Sequence, residues 1–114
     1  MCLKLKTMIK NQENISTYDV SQITNMSYLF YNTPYNKEKH GDISNWNVSN
    51  VENMNCMFNN GDIPCLLNWD ISKIKTIINF GIANIKNKND FLKYQKELIA
   101  VKKLGLFGNL IHLE

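Results

Sequence analysis

The chain has 114 residues, 44% of them apolar and 20% charged, with a net charge of +3. That length fits one small domain with a modest core. No run of about 18 apolar residues occurs, which argues against a transmembrane helix and a membrane role. All thirteen basic residues are lysines, asparagine occurs eighteen times and alanine twice, as expected for an AT-rich bacterial or phage genome. Three cysteines, Cys2, Cys56 and Cys65, form no Cys-x-x-Cys pair, which fits a reducing compartment better than a disulfide framework.

In chain order, lysines interrupt every apolar run of Met1–Lys10, so the segment does not read as a secretory signal peptide. The expected location is the cytoplasm of a bacterial or infected host cell, or the outside if the chain is a processed fragment. Leu3, Leu5, Met8 and Ile9 are expected to form an N-terminal cap, or a degenerate first turn, within residues 1–14.

Residues 15–80 carry a threefold repeat. Its apolar positions run Ile15, Tyr18, Val20, Ile23, Met26, Leu29; then Ile43, Trp46, Val48, Val51, Met54, Met57; then Leu66, Trp69, Ile71, Ile74, Ile77, Phe80. The alternation at Tyr18/Val20, Trp46/Val48 and Trp69/Ile71 has the period of two that a strand needs. The later steps of three suit a turn or 3₁₀ stretch. Such a repeat cannot bury its own apolar row, so neighbours must stack. The fold class expected is an α/β repeat: a short leucine-rich-repeat-like solenoid with a parallel sheet and a C-terminal capping helix, forming a single domain over 1–114. Trp46 and Trp69 are expected inside.

Residues Asp42 to Phe58, Asp-Ile-Ser-Asn-Trp-Asn-Val-Ser-Asn-Val-Glu-Asn-Met-Asn-Cys-Met-Phe, resemble the repeat of the BspA-like family. Its members are leucine-rich-repeat-like surface proteins and lipoproteins of mycoplasmas and other AT-rich bacteria. The first copy resembles it nearly as well and the third more loosely. The resemblance implies a solenoid with a binding or adhesion role rather than a catalytic one.

Residues 81–114 read as a C-terminal cap. Asn89 or Asp90 is placed to start a helix running to about Leu104, with Gly105 as its stop. Phe91, Tyr94, Leu98, Val101 and Leu104 mark its inner face, and Lys93, Lys96, Lys102 and Lys103 a wet basic one. Residues 73–114 hold eight lysines against three acids, whereas residues 1–72 hold five against seven. The tail Leu106–Leu113 is apolar and could serve as an oligomer contact.

Candidate chemistry is sparse. His40 and His112 have no second ligand at metal spacing, and His40-Gly41-Asp42 reads as a solvated turn. No phosphate loop appears. No cofactor and no enzymatic activity are expected. Asn25 and Asn53 share a repeat position and are expected to hydrogen-bond the turn backbone. Outward columns of Thr17, Asn45 and Asn68, then Asp19, Asn47 and Asp70, then Ser21, Ser49 and Ser72 suggest a polar binding face. An insertion at residues 35–41, with Tyr35, Lys37 and Lys39, reads as a surface loop, where function often resides.

Three functions follow as expectations. The leading one is a non-catalytic binding module, a small intracellular inhibitor or adaptor that occupies a protein or nucleoprotein surface. A phage-encoded, anti-CRISPR-like inhibitor of a defence nuclease fits the size and composition. The second is a fragment of an exported surface adhesin, which the resemblance favours. The third is nucleic-acid binding by the lysine-rich end, weakened by the lack of arginine and of an exposed aromatic platform.

Overall fold

A computed structural model describes residues 3–59, 61–83 and 85–108, and side chains as far as residue 101. It contains helices α1 (Leu3–Lys10), α2 (Lys37–His40) and α3 (Lys88–Gly108). Among the described residues there is no β-strand; two isolated parallel bridges, Asn25 to Asn53 and Asn53 to Thr76, are all that pair. The expected parallel-sheet leucine-rich-repeat solenoid is therefore not formed.

The repeats stack nonetheless, through turns. The segment expected as a strand closes on itself: Tyr18, Trp46 and Trp69 N–H donate back to Ile15, Ile43 and Leu66 C=O at 3.1, 3.1 and 3.0 Å. A second turn follows, with Ile23, Val51 and Ile74 N–H bonded to Val20, Val48 and Ile71 C=O. Between these turns Asp19, Asn47 and Asp70 accept the N–H of the serine two residues on, at 2.9, 3.1 and 3.0 Å. These local bonds engage backbone groups that a sheet ladder would need.

Cross-repeat pairing falls one turn later. Met26, Tyr28 and Phe30 N–H donate to Asn53, Asn55 and Met57 C=O at 2.8, 3.0 and 2.8 Å. Met54, Cys56 and Phe58 N–H donate to Thr76, Ile78 and Phe80 C=O at 3.0, 2.9 and 2.9 Å. Midway along each rung set sits a residue in the left-handed region: Tyr28 (φ 61°), Cys56 (φ 56°) and Asn79 (φ 55°). That kink at one repeat position keeps the ladder from extending into strands.

Apolar columns fill the stack. Ile15, Ile43 and Leu66 are buried, as are Met26, Met54 and Ile77, and Leu29, Met57 and Phe80. The Trp46 and Trp69 rings are inside, parallel to within 9° and 6.4 Å apart. Phe30 stacks on Phe58 at 5.2 Å. The third copy has Gly81 at that position, and a Cβ there would run into the Ile63 side chain.

Helices close both ends. α1 buries Leu5 and Ile9, as an N-terminal cap should. α3 packs Phe91 edge-on against Phe80 at 5.4 Å. Its cap is two or three residues earlier than expected: Asn87 Oδ1 accepts Asp90 N–H at 2.9 Å while Asp90 Oδ2 accepts Lys86 N–H at 3.1 Å, a reciprocal cap. Gly105 does not stop the helix, which continues to Gly108; a single glycine costs only about 1 kcal/mol there. The inner stripe also differs. Val101 is 56% exposed, whereas Gln95 is fully buried. The side chain of Leu104 and residues 109–114, with most of the apolar tail, lie outside the described residues.

Candidate functional site

The outward polar columns exist but do not form a sheet face. Asp19, Asn45, Asn47, Asn68 and Asp70 are all exposed. Asp19, Asn47 and Asp70 already use an oxygen to hold a turn. The Ser21 hydroxyl and then the Ser21 amide pull the Asp19 carboxyl below its usual range, and Ser72 does the same for Asp70. Asn25 and Asn53 act as expected, accepting Ser27 and Asn55 N–H at 2.9 Å each.

The insertion at 35–41 is not a free loop. Asn36 caps α2 by accepting Lys39 N–H at 3.2 Å. Lys37 and Lys39 are exposed on that helix, but Tyr35 turns inward. Its hydroxyl donates to Gly41 C=O at 2.7 Å, and burial pushes it above the usual phenol range. Gly41 (φ 84°) is required at the end of α2, because a Cβ would meet the Asn14 and Ser16 side chains.

His40 is likewise fully buried, not solvated. Its Nδ1 accepts Asn36 N–H at 2.9 Å, so Nε2 carries the proton and donates to Ile9 C=O 3.0 Å away. Phe30 packs edge-on to the ring and Tyr35 stacks beside it. With both nitrogens engaged, His40 joins α1 to α2 and is not disposed to bind a ligand.

Of the four basic residues placed on α3, Lys93 and Lys96 are exposed. Lys93 shares a small depression with Asp90 and Glu97, so its charge is locally offset. The side chains of Lys102 and Lys103 lie outside the described residues.

Two of the expected residues meet. Lys37 from α2 and Asn68 from the third repeat line one cleft of about 350 Å³, joined by Asp42, Ser44, Leu67 and Ile99. Leu67 is 40% exposed, an apolar side chain in a lining that also holds Lys37 and Asp42. Gln95 buttresses the neighbouring backbone, accepting Leu66 N–H at 2.6 Å and donating to Pro64 C=O at 3.2 Å. Sequence reasoning missed both Leu67 and Gln95. Gln95 was visible as a polar residue four positions after Phe91 on the inner stripe. Among the described residues, no helix is long and apolar enough to cross a membrane.

Residues 3–98 match the model of a family described as Mycoplasma protein of unknown function, DUF285. The chain belongs to that family. No match was found among curated proteins or among solved structures.

Proposed function

We propose that this member of the DUF285 family is a non-catalytic repeat module that binds a protein partner through the cleft between α2 and α3. The observation that carries the reading is Leu67, an apolar side chain 40% exposed in a cleft that Lys37, Asp42 and Asn68 also line. An apolar centre inside a polar rim is the anatomy of a protein contact. The BspA-like resemblance supports a surface-adhesion setting for that contact. The second setting is an intracellular inhibitor or adaptor that uses the same cleft.

The test is cross-linking of wild type and Leu67→Asp in host lysate and on intact host cells, followed by mass spectrometry. A partner cross-linked by wild type and lost with Leu67→Asp, at unchanged thermal stability, supports the reading. Identical cross-links from both proteins reject the cleft. Wild-type cross-links on intact cells favour adhesion, and cross-links confined to lysate favour an internal partner.

A further inference from the structure

A second groove, of about 450 Å³, runs between α1 and the first repeat. Lys6 and Lys10 border it from α1; Tyr28, Leu29 and Tyr31 border it from the repeat. Tyr28 and Tyr31 are 49% and 48% exposed and pack edge to face at 5.3 Å. Half-exposed tyrosines are unusual on a chain whose other repeat aromatics are inside, and tyrosine is a preferred anchor of protein interfaces.

The backbone of the same segment is an unfinished ladder edge. Asn55 and Met57 C=O accept Tyr28 and Phe30 N–H. The equivalent oxygens one repeat earlier are those of Ser27 and Leu29, and no N–H of a described residue reaches them. The acceptor edge of the first repeat therefore borders the groove. Charge points the same way. Lys6 and Lys10 lie four residues apart, on one side of a helix whose sequence, LKLKTMIK, contains no acid, and no carboxylate lines the groove.

We propose that this groove binds an extended acidic segment of a partner protein, laid along the first repeat as an added rung set. Its alternate N–H groups donate to Ser27 and Leu29 C=O, its carboxylates face Lys6 and Lys10, and its apolar side chains rest on Tyr28 and Tyr31. A peptide supplies N–H donors at the spacing of the ladder; a nucleic-acid backbone offers no such row, which decides between the two anionic classes. The inference is independent of the α2–α3 cleft.

The experiment measures fluorescence anisotropy of the full chain with a labelled peptide of alternating glutamate and tyrosine. Binding at low salt is expected, with affinity falling about tenfold or more in the double variant Lys6→Glu, Lys10→Glu and in Tyr31→Ala. A matching loss is expected when alternate peptide amides are N-methylated, and Leu67→Asp should bind as wild type does. The inference is overturned if the peptide does not bind, or if the Lys6→Glu, Lys10→Glu variant binds it equally well. Equal binding of the N-methylated peptide overturns the added-rung geometry. Tighter binding of an oligothymidylate of equal length makes the groove a nucleic-acid surface instead. Self-association of the protein alone, abolished by the lysine changes, makes a second copy the occupant and likewise overturns it.

Discussion

The indole Nε1–H of Trp69 donates to the carbonyl of Ile43, 2.9 Å away and one repeat back. Trp46 makes the same bond to Ile15 at 3.0 Å. Each tryptophan thus fills the core of its own turn and gives a second donor to the carbonyl that closes the turn before it, which is why one large side chain can fix the register of two repeats.

Truncating either tryptophan should cost about 3–5 kcal/mol, a large share of the stability of a domain this small. Replacing Trp69 by phenylalanine keeps much of the ring but leaves Ile43 C=O with Trp46 N–H as its one donor, at about 0.5–1.5 kcal/mol. Urea unfolding of Trp69→Ala and Trp69→Phe separates packing from the hydrogen bond. Equal stability of Trp69→Phe and wild type would show that the bond contributes nothing.

The repeat, its period and its inward columns were legible because burial follows the apolar spacing whatever the backbone does. The backbone was not legible, because alternation at Trp46/Val48 is compatible with a strand and also with two successive turns. The aspartate, asparagine and serine residues that choose between them looked like a polar face. Their real task is local: Asn47 and Asp70 hold the turns that displace pairing to Met54–Phe58. Lys37 and Asn68, expected on separate surfaces, line the same cleft, but Leu67 was hidden by its apolar neighbour Leu66, which is fully buried. His40 was misplaced because nothing in His-Gly-Asp shows that Asn36 and Ile9 lie within reach of its ring.

His40→Leu should be among the most destabilising single changes outside the tryptophans. It leaves Asn36 N–H without its partner and Ile9 C=O with Gln12 N–H alone, at about 1–3 kcal/mol. Thermal denaturation measures this, and a shift in melting temperature of less than a degree or two would contradict the role assigned to the ring.

Left-handed backbone at Cys56 (φ 56°) strains a residue with a Cβ, whereas asparagine tolerates it and already stands at the equivalent Asn79. Cys56→Asn is expected to raise stability by about 0.5–1 kcal/mol. Cys56→Val should lower it, since branching at Cβ suits that region least. Denaturant midpoints of the two variants should fall on opposite sides of wild type.

Asp19 and Asp70 carry carboxyls held below the ordinary value of 3.8 by their serine partners. Ionised carboxylates that are favoured in the folded state stabilise it above the unfolded-state value, and that stabilisation is lost as pH falls through the lower folded-state value. Stability should therefore decline in acid, below pH 3.8. Asp19→Asn with Asp70→Asn should flatten that decline while keeping the turns, as Asn47 does in the second repeat. An unchanged acid slope in the double variant would assign the decline to other groups.

Stacking by turns and a displaced ladder, rather than by a sheet, underlies both proposed binding surfaces, since it holds Leu67 and exposes Tyr28 and Tyr31. Residue-resolved amide hydrogen exchange tests it most directly. Slow exchange is expected at Met26, Tyr28, Phe30, Met54, Cys56 and Phe58, whose N–H groups bond across repeats, with fast exchange at Asn47 and Val48. Strong protection at Asn47 and Val48, with Met26, Tyr28, Met54 and Cys56 exchanging freely, would contradict it.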